Sequence, residues 1–130
     1  MLGKITVTIL FLDEYENTII KTVVFNQVEK PTINDFSVTK NHFGIINYTM
    51  YYYAFQVKGN STTISNIKIY DHNGAVKFNQ DYTVTDNKEG KINDSGSETY
   101  FRNNMGSQYW KIEVTDAVGN QTVDVKFLQW

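Results

Sequence analysis

No cysteine occurs in the 130 residues, which excludes disulfide staples, thiolate chemistry and the structural zinc sites that need Cys or clustered His. The core must then be closed by aliphatic and aromatic packing alone. Proline occurs once, at Pro31, and histidine twice, at His42 and His72. With its fixed φ and missing N–H, Pro31 marks a strand break or linker after Glu29-Lys30. Neither sign of charge dominates: 12 basic residues stand against 14 acidic ones, for a formal net charge of -2, and the signs are mixed along the chain. A nucleic-acid binder working by electrostatics needs a basic stripe, so that class is set aside. Long apolar runs are missing too. The stretch Ile5 to Leu12 after Met1-Leu2-Gly3-Lys4 is too short to span a membrane and lacks a small-residue cleavage site, so it reads as neither export signal, anchor nor inserting segment.

What the chain does have is rings and branched aliphatics. Aromatics make up 15% of it, with nine Tyr and eight Phe, and its length suits one domain with a core of its own. Residues 4–12 alternate, with Ile5, Val7, Ile9 and Phe11 on one side and Thr6, Thr8 and Leu10 on the other, which predicts a strand. A turn over 13–17 and a second β-branched strand over 18–26 complete an N-terminal hairpin, assigned to residues 1–30. Two strands alone are at best marginally stable in water, and this pair carries apolar residues on both faces, so it must pack on something. From Pro31 onward strands are predicted at 33–39, 47–58, 64–70, 75–79, 81–85, 98–102, 108–116 and 121–128. Between them lie turn-forming segments: Gly59-Asn60-Ser61, Asp71-His72-Asn73-Gly74, the polar stretch Asp86 to Ser97, Asn103 to Gly106, and Ala117 to Asn120. No stretch holds a helical period. Short strands at this spacing predict an all-β sandwich or barrel over residues 31–130.

The run Gly106 to Asn120, followed by Val123, Val125 and Phe127, resembles the last hairpin of bacterial and phage immunoglobulin-like domains. In that pattern an aromatic and two aliphatics alternate inward before an Asp-x-x-Gly-Asn turn. Trp110, Ile112 and Val114 take those inward places here, and the resemblance implies that Val123, Val125 and Phe127 answer them from the final strand. Upstream, Pro31 to Val38, Tyr51 to Lys58 and Ile64 to Gly74 look like the first three strands, so the likeness covers residues 31–128. It implies an immunoglobulin-like antiparallel β-sandwich preceded by the extra hairpin. The Cys pair of antibody domains is absent, and Trp sits on the penultimate strand instead of the third. Such sandwiches host many unrelated functions, so role must be argued from surfaces.

Candidate chemistry is thin. His72 lies in a polar segment whose Asp, Asn and Gly suit a tight turn, and His42 lies in a similar one. Ser95, His72 and Asp94 make a nucleophile triple on paper, with no nucleophile elbow around the serine. Asp and Asn oxygens cluster at Asp13-Glu14-Glu16, at Asp71-Asn73 and at Asp86-Asn87-Glu89 with Asn93-Asp94, and none follows the spaced ligand pattern of a Ca²⁺ loop. Asn-x-Ser/Thr triplets at Asn47, Asn60, Asn93 and Asn120 match what this Asn content produces by chance. No cofactor, metal or catalytic residue is assigned.

The most suggestive feature is the aromatic stretch around Tyr51. Alternation sends Tyr51, Tyr53, Phe55 and Val57 to one face and Tyr48, Met50, Tyr52 and Ala54 to the other, so one set fills the core and the other lies outside, where Tyr suits interfaces. Tyr48, Tyr51, Tyr52 and Tyr53, with Phe11 and Phe25 of the hairpin, form the candidate contact set. The expectation is a non-enzymatic structural and interaction protein of a phage virion: an auxiliary or decorating capsid protein, or a small tail or fibre component. Its partners are then capsid or tail proteins, or further copies of itself. A virion component leaves the cell without an export signal, which motivates that context. The rival is an immunoglobulin-like module of a bacterial surface adhesin, binding surface glycans through the tyrosines.

Overall fold

The computed structural model describes residues 2–12, 14–15, 18–101 and 107–129; in the first two strands the side chains of residues 2–6, 11, 21 and 23–28 fall outside that description. The strands are β1 (Leu2–Leu12), β2 (Thr18–Val28), β3 (Thr32–Phe43), β4 (Tyr48–Lys58), β5 (Ile64–Tyr70), β6 (Val76–Asp81), β7 (Lys91–Tyr100), β8 (Gln108–Asp116) and β9 (Gln121–Leu128), with one 3₁₀ turn at Val84–Asp86. Every pairing is antiparallel. β1 and β2 form a two-stranded sheet, β3-β4-β7 a three-stranded one, and β6-β5-β8-β9 a four-stranded one. The last two pack face to face as an all-β sandwich, with the N-terminal hairpin as an additional element.

Alternation explains the core. Phe36 and Val38 of β3 and Tyr51, Tyr53, Phe55 and Val57 of β4 are buried from one sheet, and Ile67, Ile69, Trp110, Ile112 and Val114 from the other. Trp110 lies at the centre, its ring centroid 4.9 Å from Tyr51 and 6.1 Å from Tyr53. Ile64 and Ile67 are three apart yet both buried, because the register of β5 shifts between Ile64 and Asn66. Such a bulge adds one residue and resets which side faces inward.

The final strand corrects an expectation. Trp110, Ile112 and Val114 point inward as anticipated, but their cross-strand partners are Lys126, Asp124 and Thr122. Residues directly opposite in an antiparallel pair share a face. Val123, Val125 and Phe127 therefore lie on the outer face, about half exposed, with Phe127 packed at 5.0 Å against the exposed Tyr109 ring.

Two further expectations change. The polar stretch Asp86 to Ser97 is not all turn: Lys91–Tyr100 is strand β7, paired with β4 along its length. No separate strand forms at 81–85, since β6 ends at Asp81 and a capping box follows in which the Asp86 carboxylate accepts the Thr83 backbone N–H at 2.7 Å. That arrangement favours a helical turn over an extended chain. The Asn103 to Gly106 turn lies outside the described residues.

The hairpin joins the sandwich through a pinned linker. The Glu29 carbonyl accepts the Ser61 hydroxyl and the Lys30 carbonyl the Asn60 amide, both at 2.9 Å, while the Pro31 carbonyl accepts the Thr122 hydroxyl. Beyond it, β1 and β2 run in unbroken register from Leu2↔Val28 to Leu12↔Thr18. The Leu10 and Ile20 side chains, direct cross-strand partners, are 64% and 65% exposed.

Candidate interaction surface

Register assembles one outer face from three strands. Across β3, β4 and β7 it runs in rows: Ser37, Ala54 and Ser95; then Thr39, Tyr52 and Ser97; then Asn41, Met50 and Thr99. Hydroxyls and the Tyr52 ring line a shallow depression of about 420 Å³ on this face. The Tyr52 hydroxyl lies 3.4 Å from the Met50 sulfur. Toward the β3–β4 turn the face becomes aromatic: Tyr48 stacks on Phe43 at 4.7 Å and meets Phe101 edge-on at 6.4 Å.

The turn beyond, Gly44-Ile45-Ile46-Asn47, is an unusual place for isoleucine. Turn residues are normally Gly, Pro, Asn, Asp or Ser, yet Ile45 is 102% exposed and Ile46 62%, with Phe101 beside them at 85%. Asn47 closes the turn in the left-handed region at φ 46°, which Asn tolerates. Phe43, Ile45 and Ile46 with His42 enclose an apolar hollow of about 460 Å³. Fully exposed Ile45 and mostly exposed Ile46 contribute little to the core and make this turn an apolar tip.

Of the expected contact residues, Tyr48 and Tyr52 lie on this outer face, with Tyr52 exposed. Tyr51 and Tyr53 do not. They are buried beneath the same strand, because alternation sends them toward Trp110, and the Tyr51 hydroxyl is engaged there by Gln108 Oε1 at 2.7 Å. They are core residues and leave the contact set. Phe11 and Phe25 lie outside the residues whose side chains are described. Phe43, Ile45, Ile46 and Phe101 were not anticipated, although two isoleucines between Gly44 and Asn47 were the available signal.

Asp71 and His72 are tied into the packing around Tyr51 and Tyr100. His72 sits in the Asp71 turn as expected, but its ring packs on Tyr51 at 5.3 Å and Tyr100 at 5.2 Å. Ser95 faces outward from β7, so register does not gather it with His72. Asp71 is nearly fully buried: its Oδ1 accepts the Asn73 and Ala75 N–H groups and its Oδ2 the Tyr100 hydroxyl. Burial works to raise its pKa, and those bonds outweigh it, leaving the carboxyl below the usual carboxylate value. His42 Nδ1 lies 3.2 Å from Thr49 Oγ1. No group of three or more His, Asp or Glu side chains suited to a metal ion occurs among the described residues, and no helix there is long and apolar enough to cross a membrane.

Comparison of the chain with protein-family models, with curated proteins and with solved structures found no match.

Proposed function

We propose that this chain is a non-enzymatic structural and interaction protein that builds into a larger particle, using the N-terminal hairpin as a docking arm and the Tyr48–Tyr52 face with its Ile45–Ile46 tip as a second contact. The observation that carries this reading is surface area. A compact monomer of 15.0 kDa exposes about 7,000 Å², whereas this chain exposes 8442 Å². The surplus, about 1,400 Å², exceeds the about 800 Å² that one partner contributes to a standard protein–protein interface. Much of what the arm shows is apolar, with Val7, Ile9, Leu10, Leu12, Ile19 and Ile20 all exposed. A two-stranded ribbon in water is marginal on its own, and a partner that covers it supplies the missing burial. A phage virion is the particle favoured, with capsid or tail proteins or further copies as partners. The likeness to bacterial and phage immunoglobulin-like domains belongs to this proposal.

The test is a pull-down from the native particle with the full chain and with a Leu10→Asp, Ile20→Asp variant, read by mass spectrometry. Recovery of particle proteins by the first and loss of about tenfold or more by the second is expected. Equal recovery by both, or recovery by neither, would overturn the docking-arm reading.

One observation favours the glycan-binding alternative of a cell-surface module. A polar cleft of about 920 Å³ is lined by Tyr82, Gln56, Gln80, Asn93 and Asp94, and the Tyr82 hydroxyl has no hydrogen-bond partner among the described residues. Saccharide binding in a glycan array, abolished by Tyr82→Ala, would move the assignment to that class.

A further inference from the structure

The docking-arm reading leaves open what lies along the arm's own edges, and the first strand carries an answer. Among the described residues β1 pairs only with β2, so its outer edge presents N–H and C=O groups without a strand partner there along eleven residues. Natural edges are protected by proline, by bulges, by charge or by brevity. This one has none of the first two, runs in continuous register, and carries a single charged residue, Lys4. The sandwich differs: the register is interrupted in β3·β4, in β5·β6 and in β5·β8.

The middle of β1 reads the same in both directions about Val7. Ile5-Thr6-Val7-Thr8-Ile9 is a palindrome, and Leu2 and Leu12 stand at equal distances from the same centre. In an antiparallel pair with a two-fold axis at residue 7, each residue faces the one whose number makes a sum of fourteen with its own. Val7 then faces Val7 of the second copy, Thr6 faces Thr8, Ile5 faces Ile9 and Leu2 faces Leu12. These four are like-with-like matches, while Lys4 faces Leu10 and Gly3 faces Phe11, and β-branched and Thr–Thr cross-strand pairs are among those that stabilise sheets. Self-complementarity of one patch is what a two-fold, isologous interface requires.

We infer that two copies of this chain associate by antiparallel edge-to-edge pairing of β1 about Val7, merging two arms into one four-stranded sheet of order β2-β1-β1-β2. The inference rests on the docking-arm reading and names the partner at its edge. Four strands pass the size at which a sheet becomes independently stable. The merged sheet still offers an apolar face to a particle, so pairing and docking coexist.

A charge swap at the axis tests it, using the full chain in sedimentation velocity. The wild type is expected to dimerise. The Val7→Lys and Val7→Glu variants place like charges face to face and each is expected to dimerise at least about tenfold more weakly. An equimolar mixture of the two is expected to recover a heterodimer. As a milder variant, Val7→Cys introduces the only thiol and is expected to yield a disulfide-linked dimer on oxidation, whereas Thr22→Cys on β2 is not. A monomeric wild type, single variants that dimerise as well as wild type, or a mixture that fails to recover association would overturn the pairing. A monomer that still captures particle proteins would sink the pairing alone and leave the docking arm standing.

Discussion

Asp71 and Asp116 hold two turns of the same geometry at opposite ends of the β5–β8 pair. Each Oδ1 accepts the backbone N–H groups two and four residues ahead, at 2.8 and 2.9 Å from Asn73 and Ala75, and at 3.1 and 2.9 Å from Val118 and Asn120. Each turn closes with an N–H···O=C bond of 2.9 Å between its first and last residue, Asp71 to Ala75 and Asp116 to Asn120. The fourth position is glycine in both, Gly74 at φ 80° and Gly119 at φ 94°, a region that side chains with a Cβ rarely enter. The β5–β6 and β8–β9 hairpins thus use one device twice, and both carboxylates are buried.

Removing either carboxylate takes the acceptor from two part-buried backbone N–H groups. Asp116→Ala is expected to cost about 2 kcal/mol of unfolding free energy. Asp71→Ala is expected to cost about 3 kcal/mol, because the third bond lost there is the short one from the Tyr100 hydroxyl, whereas at Asp116 it is the longer one of 3.1 Å from the Asn120 side-chain amide. Urea denaturation of both variants checks the order; equal or negligible losses would contradict it.

Gly96 lies opposite Tyr53 in the β4–β7 pair, with the phenol ring over it. A Cβ at Gly96 would stand 2.6 and 2.7 Å from ring carbons of Tyr53, closer than real Cβ atoms come. Gly96→Ala is expected to destabilise by about 1–3 kcal/mol, the cost of overpacking a filled core. In a Tyr53→Leu background the same change should cost less. A double-mutant cycle by thermal or urea unfolding measures that coupling, and strict additivity would count against the ring-over-glycine contact.

Stability is expected to fall at both ends of the pH scale. Asp71 titrates below 3.8 when folded, so the unfolded chain takes up its proton first as pH drops, and the stabilisation present above about 4 fades in acid. Burial, then the hydrogen bond to Asp71, holds the Tyr100 hydroxyl above its ordinary 10.0, and burial holds Tyr82 above it too. Above pH 10 the unfolded chain loses those protons first, and stability declines as pH rises. Tyr100→Phe should flatten the alkaline limb and, by removing one bond that depresses Asp71, weaken the acid one. Denaturation midpoints across the pH range, measured on both proteins, check the two limbs separately.

Sandwich strands were legible in the sequence where one face is apolar and the other is not. β5, β8 and β9 fall at the predicted residues, and the split of Tyr51 and Tyr53 from Tyr48 and Tyr52 follows from period two alone. Only the end of β7, from Glu98 to Tyr100, falls within the strand predicted at 98–102; the rest was hidden because Ile92 is its one buried apolar side chain, Gly96 beneath the Tyr53 ring contributes no bulk, and the outer positions are Lys, Asn, Ser and Thr. The face of β9 was misassigned because its apolar residues suggest one parity while the Asp116 turn sets another. That turn aligns Thr115 with Gln121, and every later pair inherits the register. On the candidate surface Tyr48 and Tyr52 were readable from alternation. The Ile45–Ile46 tip was not, since β-branched residues at a strand end read as more strand, and only the flanking Gly44 and Asn47 signal the turn.

In the proposed arrangement the arm is buried by a partner, while the sandwich closes without it. The direct measurement is thermal unfolding and particle binding of a chain lacking residues 1–28, which keeps the Glu29, Lys30 and Pro31 carbonyls that Ser61, Asn60 and Thr122 hold. Cooperative unfolding within a few degrees of the full chain, together with lost association, is the predicted result. A shortened chain with no cooperative transition would place β1 and β2 within the sandwich and contradict it.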